Sequence, residues 1–138
     1  MILFLDACAI IYLIEADAGF HPSIVATLGS LRARFPGSRL GVSRLSILEC
    51  LIKPLHDRDG ELIDSYRQFF AARDLLMVEL DATVVETALR LRVDYGLRTP
   101  DALQAASALT IPSASHRFVT NDRRFERVVE LESIQLMP

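Results

Sequence analysis

The sequence predicts an α/β fold, a three-layer α/β/α sandwich around a mostly parallel five-stranded sheet. Three observations carry the prediction. Short apolar runs alternate along the chain with longer helical segments, the order that builds a parallel sheet. Those runs are apolar throughout rather than alternating in polarity, as strands covered on both faces must be. Finally, 51% of the 138 residues are hydrophobic, enough to bury a core. The length suits one domain, taken as residues 1–138.

The elements follow in order. ILFL at 2–5 is the first strand, and residues 9–15 form a short helix. Pro22 sits in the first turn of a second helix that ends near Phe35, where Pro36-Gly37 stops it. Residues 40–43 are the second strand, and Ser43 caps a helix over 44–55. Asp59-Gly60 punctuates before a helix over 61–73, and 75–80 is the third strand. Asp81 caps a helix that runs to Tyr95, with Gly96 as its stop. Thr99 and Pro100 read as the cap and first turn of the next helix. Residues 117–120 are the fourth strand, a short helix starts near Asp122, and 133–137 is the fifth strand. There is no internal repeat, low-complexity tract or linker.

The bulk numbers exclude several classes. No apolar run approaches the ~20 residues that span a bilayer, so no membrane partner is expected. The start, MILFLDAC, has no basic region and is interrupted by Asp6, so it does not read as a signal peptide. Cys8 and Cys50 have no metal-binding spacing, and reduced thiols in the cytoplasm are the expectation. The net charge of -3 argues at first against a nucleic-acid partner. Set aside Asp6, Glu49, Asp101 and Asp122, however, and fourteen acids face fifteen bases. All but one of those bases are arginine, which suits phosphate contact and equally reflects a compositional bias; Lys53 is the exception.

Those four acids are singled out by position. In open parallel sheets the ligand crevice lies beyond the carboxyl ends of the strands. Asp6 directly follows ILFL, and Asp122 follows FVTN. Asp101 lies in the first turn of its helix, where the helix dipole favours the ionised form; taken alone, it is an ordinary first-turn acid. Glu49 shares an apolar stripe with Leu45, Leu48, Ile52 and Leu55, where a carboxylate is costly without an arginine or a metal beside it. Four converging acids need a cation, and all-oxygen ligands suit Mg²⁺ or Mn²⁺. Zinc does not fit, because His21, His56 and His116 are scattered and read as surface or loop residues. Such acid clusters hold one or two metals for phosphodiester hydrolysis. Thr120 reads either as a hydroxyl supporting the acids or as an ordinary strand-end threonine. Arg98, Arg123 and Arg124 read either as phosphate contacts or as solvated charges. Phe69-Phe70, Tyr12 and Phe20 read as core, with a partner groove as the other reading.

Four segments, DACAIIYLIE, SRLSILE, RTPDALQAA and FVTNDRRF, resemble the four motifs of PIN-domain nucleases, and their order and the chain length resemble the VapC-type toxins of toxin–antitoxin pairs. The resemblance covers essentially the whole chain. It implies a parallel α/β/α fold and metal-dependent endoribonuclease activity with Asp6, Glu49, Asp101 and Asp122 as acid ligands. It also implies a homodimer and inhibition by a cognate antitoxin whose tail reaches toward the acidic site. Two positions depart from the pattern: Ala7 and Cys8 stand where many relatives carry hydroxyl or amide side chains, and Cys8 reads as a small space-filling residue. Two rivals remain. A receiver-like phosphoacceptor would need a lysine near the last strand and paired acids after the first. A non-catalytic PIN-like interaction module would have little reason to keep all four acids.

Overall fold

The computed structural model describes residues 1–16 and 19–138. Five strands form one sheet: β1 (Ile2–Leu5), β2 (Arg39–Ser43), β3 (Leu76–Val78), β4 (His116–Thr120) and β5 (Ser133–Gln135). Their order is β3-β2-β1-β4-β5, and every pairing is parallel. The expected sheet is therefore present, and it is parallel throughout. The chain first winds outward from β1 through β2 to β3, then crosses to β4 on the other side of β1. That reversal opens a crevice between the carboxyl ends of β1 and β4, where such sheets bind ligands.

Six helices cover the sheet: α1 (Ala7–Glu15), α2 (His21–Arg34), α3 (Leu45–His56), α4 (Gly60–Phe70), α5 (Ala82–Tyr95) and α6 (Thr99–Ala108). Strand side chains alternate between the two faces. Leu3, Leu5, Val42 and Val119 pack with α1, α2, α3 and α4 in one core. Phe4 and Phe118 pack with α5, α6 and the 3₁₀ turn at Arg123–Arg127 in the other. Gly41 makes that second core possible beside β1. A Cβ there would stand 2.6 Å from a methyl of Ile2 and 3.2 Å from the ring of Phe4. Helix α6 is lined with Ala102, Ala105, Ala106 and Ala108, small enough for close packing on α5, and it also touches β2 and α3. No helix among the described residues is long and apolar enough to cross a membrane.

Several boundaries differ from expectation. Helix α4 ends at Phe70, and β3 covers only Leu76–Val78. Thr99 is the first residue of α6 rather than its cap; Arg98 takes the cap position, and the Thr99 hydroxyl accepts from Arg92 instead. Ser43 Oγ does accept from the Leu45 amide at 3.2 Å, but Arg44 is the residue that precedes α3. Asp81 and Gly96 bound α5 as expected, Gly96 with φ 67°. His116 is a correction: it is fully buried in β4, with Nδ1 facing the Ile111 and Pro112 carbonyls and Nε2 accepting from the Glu132 amide. Its ring closes the amino end of β4, at the opposite end of the strand from Asp122. Phe69 and Phe70 both pack against the core, edge to face at 5.3 Å. Tyr12 and Phe20 stack at 4.4 Å.

Candidate active site at the carboxyl edge of the sheet

Asp6 continues β1 beyond its last residue, its amide bonding the Val119 carbonyl at 3.0 Å, and then caps α1. The residue is 9% exposed. One carboxylate oxygen accepts from the Ala7 amide at 2.9 Å and the other from Thr120 Oγ1 at 2.7 Å, with Cys8 Sγ at 3.6 Å. None of these donors is charged. Burial pushes the Asp6 carboxyl up to about 6, more than its hydrogen bonds pull it down, and nearby Glu49 pushes the same way. The Cys8 thiol is pushed up to about 12 by burial and by Asp6, so it stays neutral.

Thr120 joins two strand ends. It is fully buried, donates to Asp6 and accepts from the Asp122 amide at 3.1 Å. Asp122 caps the 3₁₀ turn at Arg123–Arg127, accepting from the Arg124 amide at 2.9 Å. The Arg124 guanidinium also grips both its oxygens, at 3.0 Å and 3.1 Å from Nε and 2.6 Å from Nη2. That guanidinium holds the Asp122 carboxyl below the usual range. The same Nη2 stands 3.6 Å from Asp101, and Arg98 Nε is 3.1 Å from the same Asp101 oxygen. Arg123 faces Glu126 and the Met137 sulfur instead.

Glu49 lies on α3 and is half-buried. The reason given for it from sequence is overturned. The buried face of α3 is Ser46, Cys50, Leu51 and Pro54, whereas Leu48 and Ile52 are 61% and 63% exposed. Helix α3 is apolar almost all round, and contact with its neighbours, not periodicity, decides which face turns inward. Glu49 stands on the side facing α6, where Gln104 Nε2 donates to it at 2.9 Å. Its carboxyl is raised by burial, and also by Asp101, while Gln104 and Arg98 oppose the rise. The four acids thus share one electrostatic field at one edge of the sheet.

Among the described residues, no three acidic, histidine or cysteine side chains stand close enough to hold one ion. The acids are neighbours, and two of them are turned to guanidinium groups. The donor chemistry nevertheless fits a hard divalent cation. Four carboxylates and no imidazole lie at this edge, and among the described residues Asp6 is hydrogen-bonded by neutral donors only.

Sequence reasoning missed the polar seam behind Glu49. Gln104 and Ser107 on α6 meet Ser46 and Ser43, with Gln104 Nε2 to Ser46 Oγ at 2.9 Å and Ser107 Oγ to Ser43 Oγ at 3.0 Å. All four are buried. The available signal was a glutamine among alanines, three residues after Asp101 on the same helix face.

The fold has relatives among known proteins. A search of curated proteins finds no match. Among solved structures, the chain is similar to VapBC2 from Rickettsia felis bound to a DNA fragment from the promoter, with TM-score 0.76, 19% identity and 99% of each chain covered. It is similar to a toxin–antitoxin complex from Klebsiella pneumoniae, with TM-score 0.71, 16% identity and 96% of each chain covered. It is also similar to VapBC-1 from nontypeable Haemophilus influenzae, with TM-score 0.68, 19% identity and 98% of each chain covered. At these identities the likeness is one of fold. The family model described as PIN domain matches residues 3–131, nearly the whole sequence. The chain belongs to the PIN domain family.

Proposed function

We propose that the chain is a metal-dependent endoribonuclease and the toxin of a toxin–antitoxin pair, with residues 1–138 as a single nuclease domain working in the cytoplasm. One observation carries the reading. Asp6, Glu49, Asp101 and Asp122, from four separate segments, gather at the crevice between β1 and β4 in a chain of a nuclease family.

Asp6, Asp101 and Asp122 would hold Mg²⁺ or Mn²⁺, with Glu49 at its side. Bound there, the ion supplies activation of water and neutralisation of phosphate charge. The protein's own groups do the rest. Thr120 fixes the Asp6 carboxylate relative to Asp122 through its two hydrogen bonds. Arg124 and Arg98, whose guanidinium groups stand beside Asp122 and Asp101, would meet the RNA phosphate at the same edge. Arg123, on the outer side of the same turn, extends that basic rim.

Two surfaces suit the protein partners. A groove between α3 and α4, lined by Ile47, Leu48, Leu51, Ile52, Leu55 and Arg67, accepts the apolar face of an antitoxin helix. A stripe on α5, formed by exposed Val85, Leu89 and Val93 at successive helical turns, packs against its own copy in a homodimer. Leu89→Glu is expected to convert the dimer to monomer in light scattering.

The test of activity is cleavage of structured RNA by the wild type and by Asp6→Asn, in EDTA, Mg²⁺ and Mn²⁺. Metal-dependent cleavage by the wild type alone is expected. Equal cleavage by both proteins would place the chemistry elsewhere. No cleavage of any RNA by folded, metal-loaded wild type would leave a binding module.

A further inference from the structure

We propose that Gln104 is a positioning residue that aims the Glu49 carboxylate at the acidic site, which rests on the reading of Glu49 as part of a metal site. Gln104 is 1% exposed on α6, one turn beyond Asp101. Its amide nitrogen lies 2.9 Å from Glu49 Oε1 and 2.9 Å from Ser46 Oγ, so both amide protons are used. Its amide oxygen is buried with no partner among the described residues.

That orphaned oxygen identifies what the residue serves. Turning the amide over would satisfy the oxygen through the Ser46 hydroxyl, but it would set an acceptor against the carboxylate of Glu49. The observed orientation keeps the donor on Glu49 and leaves a buried carbonyl unpaired, which is costly. A tie between α6 and α3 alone would need the bond to Ser46 and not the second amide proton on Glu49. Helix α6 is also anchored independently to the end of β2, Ser107 Oγ to Ser43 Oγ at 3.0 Å. Gln104 therefore links the helix of Asp101 to the carboxylate of Glu49, and fixes the direction in which that carboxylate points.

The test measures Mn²⁺ binding by electron paramagnetic resonance on the full chain, together with thermal unfolding in metal-free buffer. The variants are Gln104→Met, Ser46→Ala, Glu49→Gln and the Glu49→Gln/Gln104→Met pair. Gln104→Met is expected to weaken Mn²⁺ binding by about 10-fold or more, the scale for groups that orient metal ligands. It is also expected to shift the unfolding temperature only slightly, because removal of the orphaned oxygen offsets the two hydrogen bonds lost. Ser46→Ala removes only the helix-to-helix bond and is expected to leave Mn²⁺ binding unchanged. The double variant is expected to bind no more weakly than Glu49→Gln, since the two residues act as one unit. If Glu49→Gln weakens binding and Gln104→Met does not, the proposal fails while the reading of Glu49 stands. If Ser46→Ala weakens binding as much as Gln104→Met, or the loss of binding in Gln104→Met comes with a large fall in unfolding temperature, Gln104 serves packing and the proposal fails. If Glu49→Gln leaves binding unchanged, or the wild type binds no Mn²⁺, the reading and the proposal fall together.

Discussion

Asp6 and Asp122 lie just past the ends of neighbouring strands and share the Thr120 hydroxyl, yet their carboxylates are held by different chemistry. Asp6 is buried among neutral donors and its carboxyl is pushed up to about 6. Glu49 resembles it, held by an amide and shifted upward by burial. Asp122 is paired with Arg124 and shifted downward, and Asp101 stands between Arg124 and Arg98. One half of the edge lacks positive charge, and the other half already carries it as guanidinium. A divalent cation at this edge would find two different settings: a buried carboxylate without a counter-charge on one half, and carboxylates already paired with arginine on the other.

The largest expected effect comes from breaking either half outright. Asp6→Asn and Asp122→Asn should each lower RNA cleavage by roughly 10²–10³-fold, the scale for losing one preorganised electrostatic contact. Single-turnover cleavage at saturating Mn²⁺ checks this, and equal losses would show that both halves serve one centre.

Next in size is the stability of the metal-free protein. The folded pKa of Asp6 is about 6 against an ordinary 3.8, so the folded chain holds this proton more tightly than the unfolded chain. The resulting stabilisation is complete below 3.8 and is lost as pH rises through about 6. Asp6→Asn has no such loss. Near neutral pH it should be more stable than metal-free wild type by up to about 3 kcal/mol, since one pKa unit is worth about 1.4 kcal/mol. The difference should vanish in acid, and Mn²⁺ should close it at neutral pH by stabilising the wild type alone. Denaturant melts across that pH range measure it.

Arg124→Met probes the other half and should do less. The pair it breaks is partly exposed, and such pairs contribute at most about 1 kcal/mol, so Mn²⁺ should bind up to about fivefold more tightly. Added salt should shrink the gain. A titration of Mn²⁺ at two ionic strengths decides it. Smallest of all is Cys8→Ser. A thiol pushed up to about 12 takes no part in charge balance, and Mn²⁺ affinity should stay within about twofold, the scale of a 0.5 kcal/mol change.

Much of the fold was legible because parallel strands announce themselves. Residues 2–5 are apolar on both faces, and they form β1 as read. The positions of Asp6 and Asp122 followed, since a residue after such a strand has only the carboxyl edge to occupy. Glu49 shows where the method stops. It does stand near the other acids, but the stripe invoked for it faces solvent at Leu48, Ile52 and Leu55. A helix apolar on nearly every side carries no internal mark of its buried face. That face was set by Ser46 and Cys50 meeting α6 and α1, contacts between segments distant in sequence. Gln104 was invisible for the same reason, because its partners lie 55 and 58 residues away. His116 read as a loop residue because a polar side chain at a strand start gives no hint of the carbonyls waiting for it.

The most direct test of the account is anomalous diffraction from crystals of the full chain soaked in Mn²⁺. A site serving metal-dependent chemistry would show a manganese peak within coordinating reach of Asp6, Asp101 and Asp122, with Arg124 swung off Asp122. No peak at the carboxyl edge, with Arg124 still gripping Asp122 in fully soaked crystals, would contradict it.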